Sequence, residues 1–475
     1  MFEFGTYTIA SILLPRLIGI IYFLSFGAFV FQIKGLLGSN GILPIKSYLE
    51  DLKLYYGKKA AYLSPSIFWY KNNDSFLLFS MYMGSLMGLC LTFSPWPLLS
   101  SVLLFILCIL QLSLLNVGQT FLGFGWELYM IQITIGTFFL SFTNPPNFLN
   151  VISLNLLLFA IYFEAGVSKL KSKDINWRNL TAVSYHYQSQ PIPNTLAWYM
   201  HKLPISIHKF SCLYLFFVEL IAPFGMVFGE DIRFITFLLF ASLQIFIYLT
   251  GNFSYLNHLT LFFSTLLISD KYFGYLLDKP KPWGGFILGL VAGIFGLFLI
   301  FIQAASIFNY LSKNKKLFTR LLNLLNPLHI VSYHGIFAVM TTKRLEIVIE
   351  GSLDGENWKE YLFYFKPTLL TKRPKRNSPY QPRLDWMMWF LPFSPWSSNH
   401  WFQNFETKLL EANPDVLKLL EYNPFEYSQP KFIRALIYDY SFSDLESKKK
   451  KKQWWNRTFI RFYGPVLHLP KKNNN

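Results

Sequence analysis

Cysteine is nearly absent: the 475 residues hold three, Cys90, Cys108 and Cys212. All three fall within or beside apolar runs, so the chain offers no disulfide framework and no cysteine-type zinc site. Charge is scarce as well. Only 15% of residues are charged, and 26 acidic residues face 43 lysines and arginines. A soluble chain of this length needs far more charge to cover its surface. The signatures of familiar chemistry are also missing: there is no nucleophile elbow, Walker loop, dinucleotide fingerprint or HExxH. These absences leave no catalytic residue, metal or cofactor to assign. The positive balance comes without a nucleic-acid fold signature, so no nucleic-acid partner is expected either.

Apolar residues are plentiful instead, at 53% of the chain, with 50 phenylalanines. Runs near the ~20 residues that a helix needs to cross a bilayer recur along the first two thirds of the chain. They cover 10–33, 76–93, 98–115, 126–142, 148–166, 210–228, 234–250, 256–269 and 285–309, the eighth being short. The first has no basic start and no small-residue cleavage site, and reads as a retained span. The expected fold is a polytopic α-helical membrane protein of about eight or nine spans over 1–312, with the lipid bilayer as its surroundings.

After Asn309 the composition changes. Residues 313–475 carry 26 of the lysines and arginines against 14 acidic residues. Arg344–Phe365 alternates apolar and polar positions around Asp354-Gly355, a strand–turn–strand pattern, and Phe432–Phe442 alternates in the same way. Between them, 400–425 has helical spacing broken by Pro414 and Pro424. The expectation is an extramembrane α+β domain with a β-sandwich-like portion. Asp354 and Trp358 suit a glycan-binding hairpin or a tryptophan that closes the turn, and Arg383, Asp385 and Trp386 are further candidates in this domain. The lysine run Lys448–Lys452 suits anionic headgroups or a solvated surface.

The connector 167–209 contains SYHYQSQPIPNTLAWYMHKLP, Ser184 to Pro204. Its prolines hold Gln190, Pro191 and Pro193 extended without a ladder of hydrogen bonds. Trp177, Tyr185, Tyr187, Trp198 and Tyr199 offer contact area at little entropic cost. With His186, His201 and Asn194 they form either a platform for an incompletely folded client or an interfacial loop packed on the protein's own bundle. Charges within the runs, Glu127, Glu164, Lys169 and Glu219, require partners or a cavity, and Asn257 and His258 suit hydrogen bonds between helices. In a nine-span chain the connectors 34–75 and 167–209 share one side with the tail. Their six basic residues each favour a cytoplasmic side by the positive-inside rule, while one span more or fewer moves the tail across the membrane and keeps the two connectors together, so the side of the tail stays open.

From Val117 onward a series of segments resembles the lipase maturation factor family. They include VGQTFLGFGWE (117–127), FEAGVSKLKSKDINWRNLTAVSYHYQSQPIPNTLAWYMHKLP (163–204), GNFSYLNHLT (251–260), YHGIFAVMTTKRLEIVIEGSLDGENWKEY (333–361) and NPFEYSQPKFIRALIYDYSFSD (423–444). The resemblance implies an endoplasmic-reticulum membrane protein that helps newly made lipases fold and assemble into active dimers, with connector and tail facing the lumen. GLLGSNGILP (35–44) and EAGVSKL (164–170) are also similar to the wider group that includes the vitamin K-dependent carboxylase. That likeness implies an alternative, an enzyme acting on a lipid or quinone-like molecule through Lys169, His186 and His258.

Overall fold

The protein is described by a computed structural model covering residues 6–273, 282–312 and 317–469. All nine apolar runs are helical. In chain order the bundle helices are α1 (Thr8–Val30), α2 (Asp74–Thr92), α3 (Pro97–Val117), α4 (Gly125–Leu140), α5 (Phe148–Lys171), α6 (Ile205–Phe216), α7 (Glu230–Thr250), α8 (Leu256–Ser264) and α9 (Phe286–Leu311). A π-turn, Phe217–Ile221, and a 3-10 segment extend α6 to Val227. Seven of these spans are long and apolar enough to cross a membrane, and α4 and α8 are shorter.

The chain nevertheless runs from one end of the bundle to the other at both short helices. Glu127, in the first turn of α4, meets Arg383 of the C-terminal region, while Asn144 beyond its far end pairs its backbone with Trp283. Before α8, the Ser254 carbonyl accepts from Ser378; after it, Asp270 accepts from the amides of Thr8 and Ile9 at the start of α1. Direction therefore alternates through nine helices, and one end of the bundle gathers the connectors 31–73 and 172–204. The helices are held together by close approach. Gly84 and Gly88, spaced GxxxG on α2, lie so near α1 that a Cβ on Gly88 would sit 2.5 Å from the Phe23 nitrogen.

At that same end sits the C-terminal module. Its strands are β1 (Arg344–Ser352), β2 (Trp358–Glu360), β3 (Phe432–Phe442), β4 (Trp455–Phe462) and β5 (Leu467–His468), and its main helices are α10 (Arg383–Met388), α11 (His400–Leu410) and α12 (Leu445–Lys451). The strands form one antiparallel sheet in the order β2-β1-β3-β4, with β5 also on β3. Ile347 lies opposite Ile437 in the central pair. Pattern and structure agree for the first hairpin and for β3, whereas β4 was hidden in WWNRTFIRF. Where a sandwich-like portion is expected from sequence, the described strands make a single sheet. Ile347, Ile349, Ile433 and Ala435 on one face share a core with Phe402, Phe405 and Leu409 of α11. The other face, with Val348, Tyr440 and Phe442, packs on Trp455 and on Trp198 of the connector.

Candidate functional site

The residues singled out in the sequence converge on the joint between bundle and module, and most of them are buried there. Bundle carboxylates take partners from the module side. Glu127 pairs with Arg383 and accepts from the Phe124 amide at 2.8 Å, while Arg383 also donates to the Phe121 carbonyl at 3.0 Å. Glu164 accepts from both the amide and Nδ1 of His334, each at 2.9 Å, and His334 Nε2 lies 3.1 Å from Gln132 Oε1. Lys169 stays within the bundle, both Glu219 oxygens lying 2.9 Å from its ammonium. Each charge is buried, so each requires its partner: an isolated ion in such surroundings costs several kcal/mol.

The connector is clamped rather than displayed. Short helices Ala182–Ser189 and Thr195–Met200 flank the extended Gln190–Pro193 link. The link's carbonyls cannot pair with one another, and Arg344 takes them. Its guanidinium donates to Gln188 O at 2.9 Å, to Pro191 O at 2.8 Å and to Gln190 O. Glu346 balances Arg344 at 2.6 Å and Lys366 lies 3.1 Å from the same carboxylate, all three side chains being buried. Trp389 donates to Ser189 O, and Gln190 and Asn194 donate to the Thr250 and Leu249 carbonyls at the end of α7. Asn252 bridges Ile192 O and Lys375 O while accepting from the amides of Asn377 and Ser378.

This geometry corrects the expected aromatic platform. Trp177, Tyr187 and Trp198 are buried with Gln190, Pro191, Pro193 and Asn194, so the loop-on-bundle alternative describes their packing. Trp177 donates to Phe337 O, and His201 Nδ1 meets Ser184 O at 2.9 Å. Only Tyr185 and Tyr199 of the aromatic set remain exposed. Tyr199 joins Trp198 and Trp454 around the Lys448 ammonium, which lies 4.2 to 4.6 Å from the three ring centres. The first residue of the lysine run is thus enclosed by rings rather than free in solvent.

The hairpin candidates have structural tasks. Asp354 accepts from the Asn357 side chain at 2.7 Å and from the amides of Asn357 and Glu356 at 2.8 and 2.9 Å, and these hydrogen bonds hold its carboxyl well below the usual range. Gly355 supplies the positive φ of the turn, Trp358 donates to Gly355 O, and Arg434 covers the Trp358 ring at 4.0 Å. Asp385 accepts from the amides of Phe365 and Lys366, and Trp386 packs edge-on to Trp126 at 5.2 Å.

Of the three residues of the enzyme alternative, Lys169 and His186 line one cavity and His258 lies outside its lining. Lys169 is occupied by Glu219; His186 lies against Phe253 and Phe337, and His258 against Tyr248, with no hydrogen bond linking the three among the described residues. Nor do the described residues contain a group of three or more His, Cys, Asp or Glu side chains placed to hold a metal ion. Sequence reasoning missed His334, Arg344, Glu346 and Lys366. Arg344 and Glu346 did leave a signal, since with Glu350 they put three charges on one face of a largely buried strand.

Comparison with known proteins agrees along the whole chain. The family model "Lipase maturation factor transmembrane domain" matches residues 9–275, and "Lipase maturation factor C-terminal domain" matches 330–465. Mouse lipase maturation factor 1 is 31% identical over 98% of this chain and 88% of its own length, and the human protein is 29% identical over 98% and 89%. Lipase maturation factor 2 of Xenopus tropicalis is 28% identical over 94% of this chain and 81% of its own. No solved structure matches.

Proposed function

Since the chain belongs to the lipase maturation factor family, we propose that this multi-pass membrane protein matures client lipases in the endoplasmic reticulum, with the module on the lumenal side. The family's role is maturation rather than catalysis, and the carboxylase-like alternative finds no support in the relatives. The client-facing surface is assigned to the module's open sheet edge together with the exposed connector residues Tyr185 and Tyr199.

One observation carries that assignment. Strand β4 closes the described sheet on one side, and its side chains Phe459, Ile460 and Phe462 are exposed. An edge strand offers unpaired amides and carbonyls to any extended segment, and natural edges are usually blunted by charge or proline. Here the strand also holds Arg457, paired with Glu360, and the exposed Arg461, with a bulge opposite Ile437 and Tyr438, yet Phe459, Ile460 and Phe462 leave an apolar patch beside the arginines. An unfolded client supplies what such an edge binds, an extended apolar segment that adds as a further strand. Lys448 and Trp454 continue the surface from β4 back to Tyr199.

Co-expression of the full chain with a secreted lipase, in cells lacking their own maturation factor, tests this reading. Wild type is expected to restore secreted lipase activity, and Phe459→Ser with Phe462→Ser to lose most of it at an unchanged level of the factor. In sealed microsomes the module is expected to resist protease. Undiminished lipase activity in the double variant removes the edge as the docking surface, and a digested module removes the lumenal assignment.

A further inference from the structure

Beneath the connector, between α5, α6, α7 and α8, lies a cavity of about 490 Å³, within the ~300–1,000 Å³ typical of small-molecule sites. Its walls are mainly apolar, from Ile161 and Leu243 in the bundle to Phe253 and Phe337 above. It opens sideways. Phe210 and Tyr214 of α6 and Ser242 and Phe246 of α7 line it, and Phe210 and Ser242 are exposed on the outer surface of the bundle. Tyr214 and Ser242 share a hydrogen bond across this mouth. Phe210 and Tyr214 stand five and nine residues into α6, which places the mouth roughly 8–14 Å along the helix from the end that carries the module. Exposed Leu213 and Phe217 of α6 and Ile245 of α7 lie near it, an apolar outer surface suited to lipid, with exposed Lys209 one residue toward the module end. A membrane lipid fits such an opening.

The polar groups of the chamber narrow the choice. Asn257 donates to Gln244 Oε1 at 2.8 Å and Gln244 donates to the Tyr162 hydroxyl at 3.1 Å, leaving Asn257 Oδ1 without a partner among the described residues. The Tyr187 hydroxyl also has none. Both side chains are buried and both line the cavity. Buried polar atoms are normally satisfied, so an acceptor and a hydroxyl left free in one apolar chamber mark where a ligand's polar end belongs. Among the described residues the only formal charges on the wall, Lys169 and Glu219, neutralise each other. Burial, with Lys169 adding to it, pushes the His186 imidazole down to about 4, so it too is neutral near pH 7. Nothing remains to balance a phosphate. Glu219 lies in the π-turn Phe217–Ile221, a helix distortion that recurs at functional sites.

We propose that this cavity binds an uncharged lipid with a long apolar chain and a hydroxyl-bearing polar end, of the monoacylglycerol class. The lipid enters from the bilayer between α6 and α7. Its hydroxyl donates to Asn257 Oδ1, and the Tyr187 hydroxyl donates to an oxygen of its polar end. Trp177, Val183 and Met340 form part of the roof, so the bound lipid touches the same connector that the module clamps.

The test is photolabelling of the full chain in membranes with a monoacylglycerol bearing a diazirine in its acyl chain, followed by peptide mapping. Labelling is expected to be saturable, to map to α6, α7 or the 177–187 roof, and to be competed by unlabelled monoolein but not by a charged lysophospholipid. Asn257→Leu is expected to weaken competition by about tenfold, the worth of one buried hydrogen bond. Ser242→Trp, which fills the mouth and gives up the exposed hydrogen bond to Tyr214, is expected to block labelling, while Ser242→Ala, which gives up the same bond without filling the mouth, is expected to keep it. The proposal is overturned by non-saturable labelling spread over the outer helix faces, by equal competition from the lysophospholipid, or by undiminished labelling of Ser242→Trp. Lipase activity is not a readout here, so this result stands apart from the client assignment.

Discussion

The connector 177–201 and strand β4 look alike in sequence, each dense in aromatic residues and close to lysine or arginine, and they end in opposite environments. Trp198 is wholly buried under the sheet; Phe459 and Phe462, on the same sheet, are about half exposed. Hydrogen-bonding partners account for the difference. The connector's proline-held link exposes carbonyls that no ladder satisfies, and Arg344 satisfies them only by lying over the link, which closes the module onto it. Strand β4 satisfies one side of its backbone against β3, and no other described strand pairs with its outer side. Aromatic density marks a contact surface in both cases. Whether that contact is internal or offered outward depends on where the backbone's polar groups find partners.

This contrast can be broken most forcefully at the joint. Arg383→Ala leaves Glu127 buried without its partner and is expected to cost about 3–5 kcal/mol, while Arg383→Met with Glu127→Leu recovers most of that loss. Thermal melts of the full chain in detergent check both; an Arg383→Ala protein that melts like wild type removes the joint as a stabilising element. Next, Trp198→Ala opens a void between connector and sheet and is expected to lower stability by about 3–5 kcal/mol, whereas Phe459→Ser shifts it by roughly 0.5 kcal/mol or less. Equal melting shifts for the two would erase the distinction between internal and outward aromatics.

A further effect concerns pH. Burial pushes the Glu406 carboxyl up to about 8, with Trp396 donating to it at 2.7 Å. The folded state thus holds a proton that the unfolded chain releases near ~4.3, and stability falls as pH rises between those values, by up to about 1.4 kcal/mol per unit. Glu406→Gln retains an acceptor for Trp396 and removes the titration. Its melting temperature between pH 6 and pH 8 is expected to fall less than that of wild type, and parallel curves would exclude Glu406 as the cause.

Much of the fold was open to reading along the chain. Helical runs and strand alternation are local patterns, so all nine helices and the bounds of β3 followed from them. Strand β4 did not, because its outward positions hold Phe459, Ile460 and Phe462 and so break the apolar–polar alternation that identifies a strand. At the candidate site the bundle charges were visible but their partners were not. Glu164 and His334 are 170 residues apart, and no periodicity spans that distance.

By itself, the sequence determined the membrane class, the helical runs, the paired strands and the need of each intramembrane charge for a partner. Those follow from hydropathy, backbone preference and the penalty for burying an ion, all of which act over a few residues. Only the tertiary structure decided that Arg383 and His334 from the module supply two of those partners, that the connector is buried, and that a chamber opens between α6 and α7. Such outcomes depend on which distant surfaces meet, and that is set by packing of the whole chain rather than by any segment of it.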